Sequence, residues 1–198
     1  MAETARTPIT TILFTDLVDS TTLMQRMGDE RAQKLFETHH QLLSDAVSTH
    51  GGSELQWLGD GLMVAFASTA DAVRYAIAMQ QAAAQQPGER LSIRAGLNVG
   101  EILQQKTGSG YFGTPVVVAR RLCDRAAAGQ ILCSQAVSLL LAGRAAFAFR
   151  ELGAVELKGI AEKVGVYEVE YEAERATALW APPRAEATEP ATESNADR

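Results

Sequence analysis

The chain has 198 residues, 46% of them hydrophobic, and a net charge of −6. That supports one domain with a single core, and it offers neither a block of lysine or arginine for nucleic acid nor the apolar run of roughly 18–20 residues that a membrane span needs. Met1 to Pro8 lacks the apolar centre of a signal peptide, and Cys123 and Cys133 lack metal-ligand spacing; a cytoplasmic protein is expected, with no nucleic-acid or membrane partner.

After a flexible N-terminus over 1–8, residues 9–15 read as a strand rich in Thr, Ile and Phe. Helical signals run from Ser20 to about Thr49, with a break near Gly28-Asp29 and a stop at Gly51-Gly52. Residues 54–58 and 61–66 read as a hairpin, since Asp-Gly between apolar runs is a strong turn signal. An Ala-rich amphipathic helix follows over 69–85, then an alternating strand from Leu91 to Ile102. A glycine-rich loop spans 107–113 and a helix 115–127; strands near 131–133, 147–157 and 164–170 and a helix at 134–142 complete the domain, 9–171. Residues 172–198 are rich in Ala, Glu, Pro and Thr without lasting periodicity, and are expected to be disordered. The order suggests an α/β (α+β) fold: a ferredoxin-like βααββαβ core with additional C-terminal strands and helices. His39 falls on the apolar face of its helix, as a packed core or interface residue would.

Two aspartates close apolar strands. Asp16 ends Ile12-Leu13-Phe14-Thr15 just before Ser20-Thr21 open a helix, and Asp60 sits in the Gly59-Asp60-Gly61 turn. If these strands pair, both carboxylates project from one sheet edge beside a helix N-terminus. Carboxylates hold hard divalent cations, Mg²⁺ usually through one or two of them plus substrate phosphates, and helix N-termini attract phosphate. A metal–nucleotide site is the first reading; helix capping by Ser20 and Thr21 and a plain turn at Asp60 are the structural alternatives.

Four motifs then stand in order: Phe14-Thr15-Asp16 with Ser20-Thr21, Gly59-Asp60-Gly61, Gly113-Thr114-Pro115-Val116-Val117-Val118-Ala119-Arg120-Arg121-Leu122, and Leu157-Lys158-Gly159. Together they resemble the class III adenylate/guanylate cyclase catalytic domain, in its bacterial, soluble, single-domain form, over roughly residues 8–170. The resemblance implies conversion of ATP to cyclic AMP and pyrophosphate in a homodimer. Two Mg²⁺ or Mn²⁺ ions per site would be held by Asp16, Asp60 and the Leu17 carbonyl, and the backbone of Val18, Asp19, Ser20 and Thr21 would cradle phosphates. Lys158 would contact the triphosphate and Arg121 would stabilise charge on the α-phosphate, both arriving from the second protomer.

The chain departs from the family pattern on that second side. Gln56 stands where the base-reading lysine is expected, and Gly110 where its aspartate partner is expected. Val117 replaces an asparagine donor, a type of loss that typically costs about 10²–10³ in rate, and Gln130 replaces a phosphate-contacting arginine. Slow turnover with relaxed base selectivity is expected. The alternatives are cyclisation of GTP or a pyrimidine nucleotide, or a nucleotide-binding regulatory dimer without turnover. The run Gly108 to Gly113 satisfies a dinucleotide-binding pattern but lacks the βαβ setting that such a turn requires.

Overall fold

The computed structural model describes residues 8–86, 91–104 and 111–172. The expected terminal segments 1–8 and 172–198, apart from Pro8 and Glu172, and Gly110 lie outside the described residues. In chain order the core runs β1 (Ile9–Leu17), α1 (Ser20–Met27), α2 (Asp29–Thr49), β2 (Gly52–Leu58), β3 (Gly61–Phe66), α3 (Thr69–Gln85) and β4 (Ile93–Glu101), which is the anticipated βααββαβ order. Then come β5 (Leu103–Gln104), β6 (Tyr111–Phe112), α4 (Thr114–Arg125), β7 (Ile131–Ser134), α5 (Gln135–Leu140), β8 (Ala148–Val155) and β9 (Val164–Glu170).

Seven strands form one sheet in the order β2-β3-β1-β4-β7-β9-β8, antiparallel except for the β4–β7 pair. β1 lies between β3 and β4, and its alternation sorts its side chains between two layers. Leu13 and Leu17 join the main core with α2, α3 and α5, whereas Ile12 and Phe14 pack under Ala119 and Cys123 of α4. The β4 alternation behaves as predicted on one face, where Leu91, Ile93, Ala95 and Leu97 are buried. Its other face is closed by α4: a Cβ on Gly96 would lie 2.1 Å from the Cys123 nitrogen, and one on Gly100 2.5 Å from Pro115 Cγ. Glycine at these positions lets the helix lie against the strand backbone.

Some boundaries differ from the sequence expectations. The glycine-rich segment ends in a short strand, with Leu103 opposite Phe112 and Gln104 opposite Tyr111. Ser134 closes β7, paired with Val166 of β9, and is the N-cap of α5, whose first helical residue is Gln135. Both cysteines are buried thiols, and burial raises each pKa to about 12. Among the described residues no helix is long and apolar enough to cross a membrane.

Candidate active site

The β1–β3 pairing brings the two aspartates to the same sheet end. Register runs through Phe14 opposite Met63, and the Leu62 N–H donates to Thr15 Oγ1 at 3.1 Å. The next residue toward the turn, Gly61, passes so close that a Cβ there would be 2.4 Å from the Thr15 carbonyl oxygen and 3.3 Å from Asp16 Oδ1. The glycine of the Gly-Asp-Gly turn therefore keeps the space beside Asp16 open, and Asp60 precedes it directly.

Asp16 is 9% exposed. Its direct neighbour on β4 is Arg94, whose Nε donates to Oδ2 at 2.9 Å and whose Nη2 donates to the same oxygen, while Nη1 donates to the Asp124 carbonyl at 2.9 Å. Burial works against the Arg94 charge, but the hydrogen bond and charge of Asp16 outweigh it and hold the Arg94 pKa above its ordinary value. On the other side, Arg120 Nη2 stands 3.9 Å from Oδ1. Neither arginine was among the residues singled out from sequence. Arg94 leaves one trace there, as a charged residue within the alternating strand; Arg120 leaves only its place beside Arg121.

The Leu17 side chain is buried in the main core, so only its backbone is available for ligation. The Val18 N–H is already engaged by the Ser92 carbonyl at 2.8 Å. Asp19 caps α1 in a left-handed conformation, φ 59°, the one non-glycine residue with positive φ among the described residues, and it makes no side-chain cap bond. The cap is thus Asp19, and Ser20 and Thr21 are the first helical residues, not capping side chains. Ser20 shares a cavity of about 370 Å³ with Asp60, Gly59, Met24, Phe36 and His40.

Gln56, Val117, Arg120 and Arg121 line a second cavity, about 460 Å³, floored by Phe14 and Met63. Arg121 is held by Asp124 Oδ2 at 3.1 Å and donates through Nε to the Lys158 carbonyl at 3.3 Å. Lys158 is exposed, in a turn closed by Ile160 N–H on the Leu157 carbonyl. Gln130 braces the loop after α4, where its Oε1 accepts from the Ala127 N–H at 3.0 Å. The predicted residues therefore fall into two groups on one chain, Asp60 and Ser20 in one cavity and Gln56 and Arg121 in the other, while Asp16 lines neither and lies beside Gly61 and Arg120.

Among the described residues no group of three or more His, Cys, Asp or Glu side chains is gathered to cage a metal. Two carboxylates beside an open glycine fit a Mg²⁺-type ion, which draws its remaining ligands from substrate and water.

Residues 3–171 match the family model for the adenylate and guanylate cyclase catalytic domain, and the chain belongs to that family. It is 31% identical over 170 residues to putative adenylate cyclase 3 of Rhizobium meliloti, covering 83% of this chain and 29% of that protein. It is 31% identical over 169 residues to the serine/threonine-protein kinase pkn2 of Myxococcus xanthus, covering 83% of this chain and 20% of the kinase. The chain thus spans well under half of these curated relatives. Among solved structures, the adenylyl cyclase CyaB from P. aeruginosa superposes with a TM-score of 0.73 at 26% identity, covering 83% of this chain and 94% of that one. The guanylate cyclase domain of RhGC from Catenaria anguillulae, solved with GTP, shares the fold at a TM-score of 0.76 and 21% identity, over 83% and 97% of the two chains. Fold and family are therefore those of class III cyclases, whose members are generally metal-dependent.

Proposed function

We propose that this domain is a nucleotidyl cyclase that converts ATP to 3′,5′-cyclic AMP and pyrophosphate at a homodimer interface, slowly and with relaxed base selectivity. The observation that carries the reading is the approach of the Gly59-Asp60-Gly61 turn to Asp16, with Gly61 leaving room beside Oδ1. Asp16, Asp60 and the Leu17 carbonyl would hold two Mg²⁺ or Mn²⁺ ions. When bound, the metal supplies Lewis-acid activation of the ribose 3′-hydroxyl and charge neutralisation on the triphosphate. The backbone from Asp19 to Thr21, at the start of α1, would orient the phosphates, the Val18 N–H being taken by Ser92, and the Asp19 cap leaves the side chains of Ser20 and Thr21 free of capping duty.

Arg121 and Lys158 of the second protomer would face the phosphates. The 3′-oxygen forms a bond to the α-phosphorus, the α–β bridging bond breaks, the hydroxyl proton leaves to solvent and pyrophosphate departs. Asp124 and the Lys158 carbonyl fix the Arg121 guanidinium before substrate arrives, so little reorganisation is needed. Gln56 can both donate and accept, which suits more than one purine edge.

A second reading, a nucleotide-holding dimer without turnover, is favoured by one observation: Gln130 is committed to the Ala127 N–H and Val117 brings no donor to the cavity. Purified protein with Mn²⁺ and each of the four nucleoside triphosphates separates the two. Cyclic product is expected, with ATP the preferred substrate, and Asp16→Ala or Asp60→Ala should lower it to background. Thermal stabilisation by Mn²⁺–ATP with no product from any triphosphate would establish the second reading instead.

A further inference from the structure

Asp16 is flanked by two guanidinium groups that are held differently. Arg94 grips Oδ2 with two donors and is tied behind to the Asp124 carbonyl. Arg120 stands off, its Nη2 3.9 Å from Oδ1 and beyond hydrogen-bond reach. Its Nε pairs with Asp124 Oδ1 at 3.0 Å, and its guanidinium carbon lies 5.9 Å from the centre of the Phe14 ring. The Arg120 side chain is 33% exposed and lines the cavity of Gln56 and Arg121. It is a positive charge between Asp16 and the cavity of Arg121, and the proposed reaction gives it no part.

Charge balance gives it one. Asp16 and Asp124 oppose two negative charges to the three guanidinium groups of Arg94, Arg120 and Arg121, so the cluster holds one positive charge in excess. Arg120 is its member next to the carboxylate oxygen that faces the open side of the site. In this half-buried setting, repulsion between Arg120 and an entering divalent cation is only partly screened. The same charge attracts a triphosphate. The geometry points to Arg120 as a selectivity-determining residue that keeps free divalent cations off Asp16 and admits them together with the nucleotide whose charge offsets its own. This rests on the cyclase reading of Asp16. A purely structural Arg120, serving only its i,i+4 pair with Asp124 on α4, makes a different prediction: its loss would alter helix stability without sorting cations from anions.

Calorimetry on the full chain tests this with three probes: Mn²⁺ alone, 2′,3′-dideoxy-ATP in EDTA, and Mn²⁺ with dideoxy-ATP, which lacks the attacking hydroxyl. Arg120→Gln is expected to bind free Mn²⁺ roughly three- to tenfold more tightly and metal-free dideoxy-ATP more weakly by a similar factor, as removal of one nearby positive charge requires. Arg120→Lys, which keeps the charge, should stay near wild type on both. Arg120→Met, which keeps the apolar stem over Phe14, should behave as the Gln variant does, and melting by circular dichroism confirms that each variant folds. Neutral variants that shift both affinities in the same direction, or neither, overturn the role of Arg120 and leave the cyclase reading standing. A wild-type protein that fails to bind Mn²⁺ with dideoxy-ATP overturns that reading and this inference with it.

Discussion

His39 stands in an environment far from that of a solvated imidazole. It is 4% exposed, on the core face of α2, and its Nε2 finds no hydrogen-bond partner among the described residues. Burial lowers its pKa from 6.5 to about 4, the charge of His40 acts in the same direction, and Asp60 opposes them. The native state therefore holds His39 neutral in a range where the unfolded chain takes up a proton. Stability is complete above about pH 6.5 and falls as pH drops toward 4, by about 2 to 3 kcal/mol at pH 4.5. His39→Gln has no such proton to refuse. Urea unfolding of the metal-free protein at pH 7 and pH 4.5 should show a smaller acid loss in His39→Gln by about that amount; equal losses would assign the acid sensitivity to other groups. That His39 is buried was legible from helical spacing alone. That it lacks a partner was not, because the pattern gives a face and not the groups opposite it.

At the scale of elements, α4 sets the relation between Arg121 and the sheet, and Gly96 sets α4. A Cβ at this position would fall 2.1 Å from the Cys123 nitrogen and 2.5 Å from the Ala119 oxygen, both backbone atoms of the helix, so no side-chain rotation can make room. Gly96→Ala should therefore lift α4 from β4 and cost about 1–3 kcal/mol or more, the usual range for overpacking, which for a domain of this size is a fall in Tm of roughly 2–10 °C. Because Arg120 and Arg121 ride on that helix, affinity for metal–nucleotide should fall as well. Unchanged melting and unchanged affinity would mean the helix has slack that the contacts do not suggest. Most elements were legible because local signals agree with the tertiary fold: the Asp-Gly turn of β2–β3, the break at Gly28-Asp29, and the Thr-Pro opening of α4. The β5–β6 pair was not, since strand pieces of two residues each carry no period of their own. The Asp16–Arg94 pair escaped for a related reason. It is a product of register between strands far apart in sequence, and composition does not give register.

For the whole molecule, the distribution of site residues over two cavities has a consequence at the level of assembly. Asp60 and Ser20 open on one cavity, and Gln56, Val117 and Arg121 on another. In the proposed C2 dimer the first surface of one protomer would face the second surface of its partner, making two equivalent sites. Each complete site would then take Asp16 and Asp60 from one chain and Arg121 from the other. Asp16→Ala and Arg121→Ala homodimers should both be inactive, each site lacking one essential group. In a mixed dimer, one site receives both substitutions and the other receives neither. Random exchange makes about half the dimers mixed, each with one intact site of two, so an equimolar mixture should recover about a quarter of wild-type activity. Recovery should rise with total protein concentration as dimers form. If instead each chain built its own complete site, mixing would recover nothing at any concentration, because no chain in the mixture carries both Asp16 and Arg121.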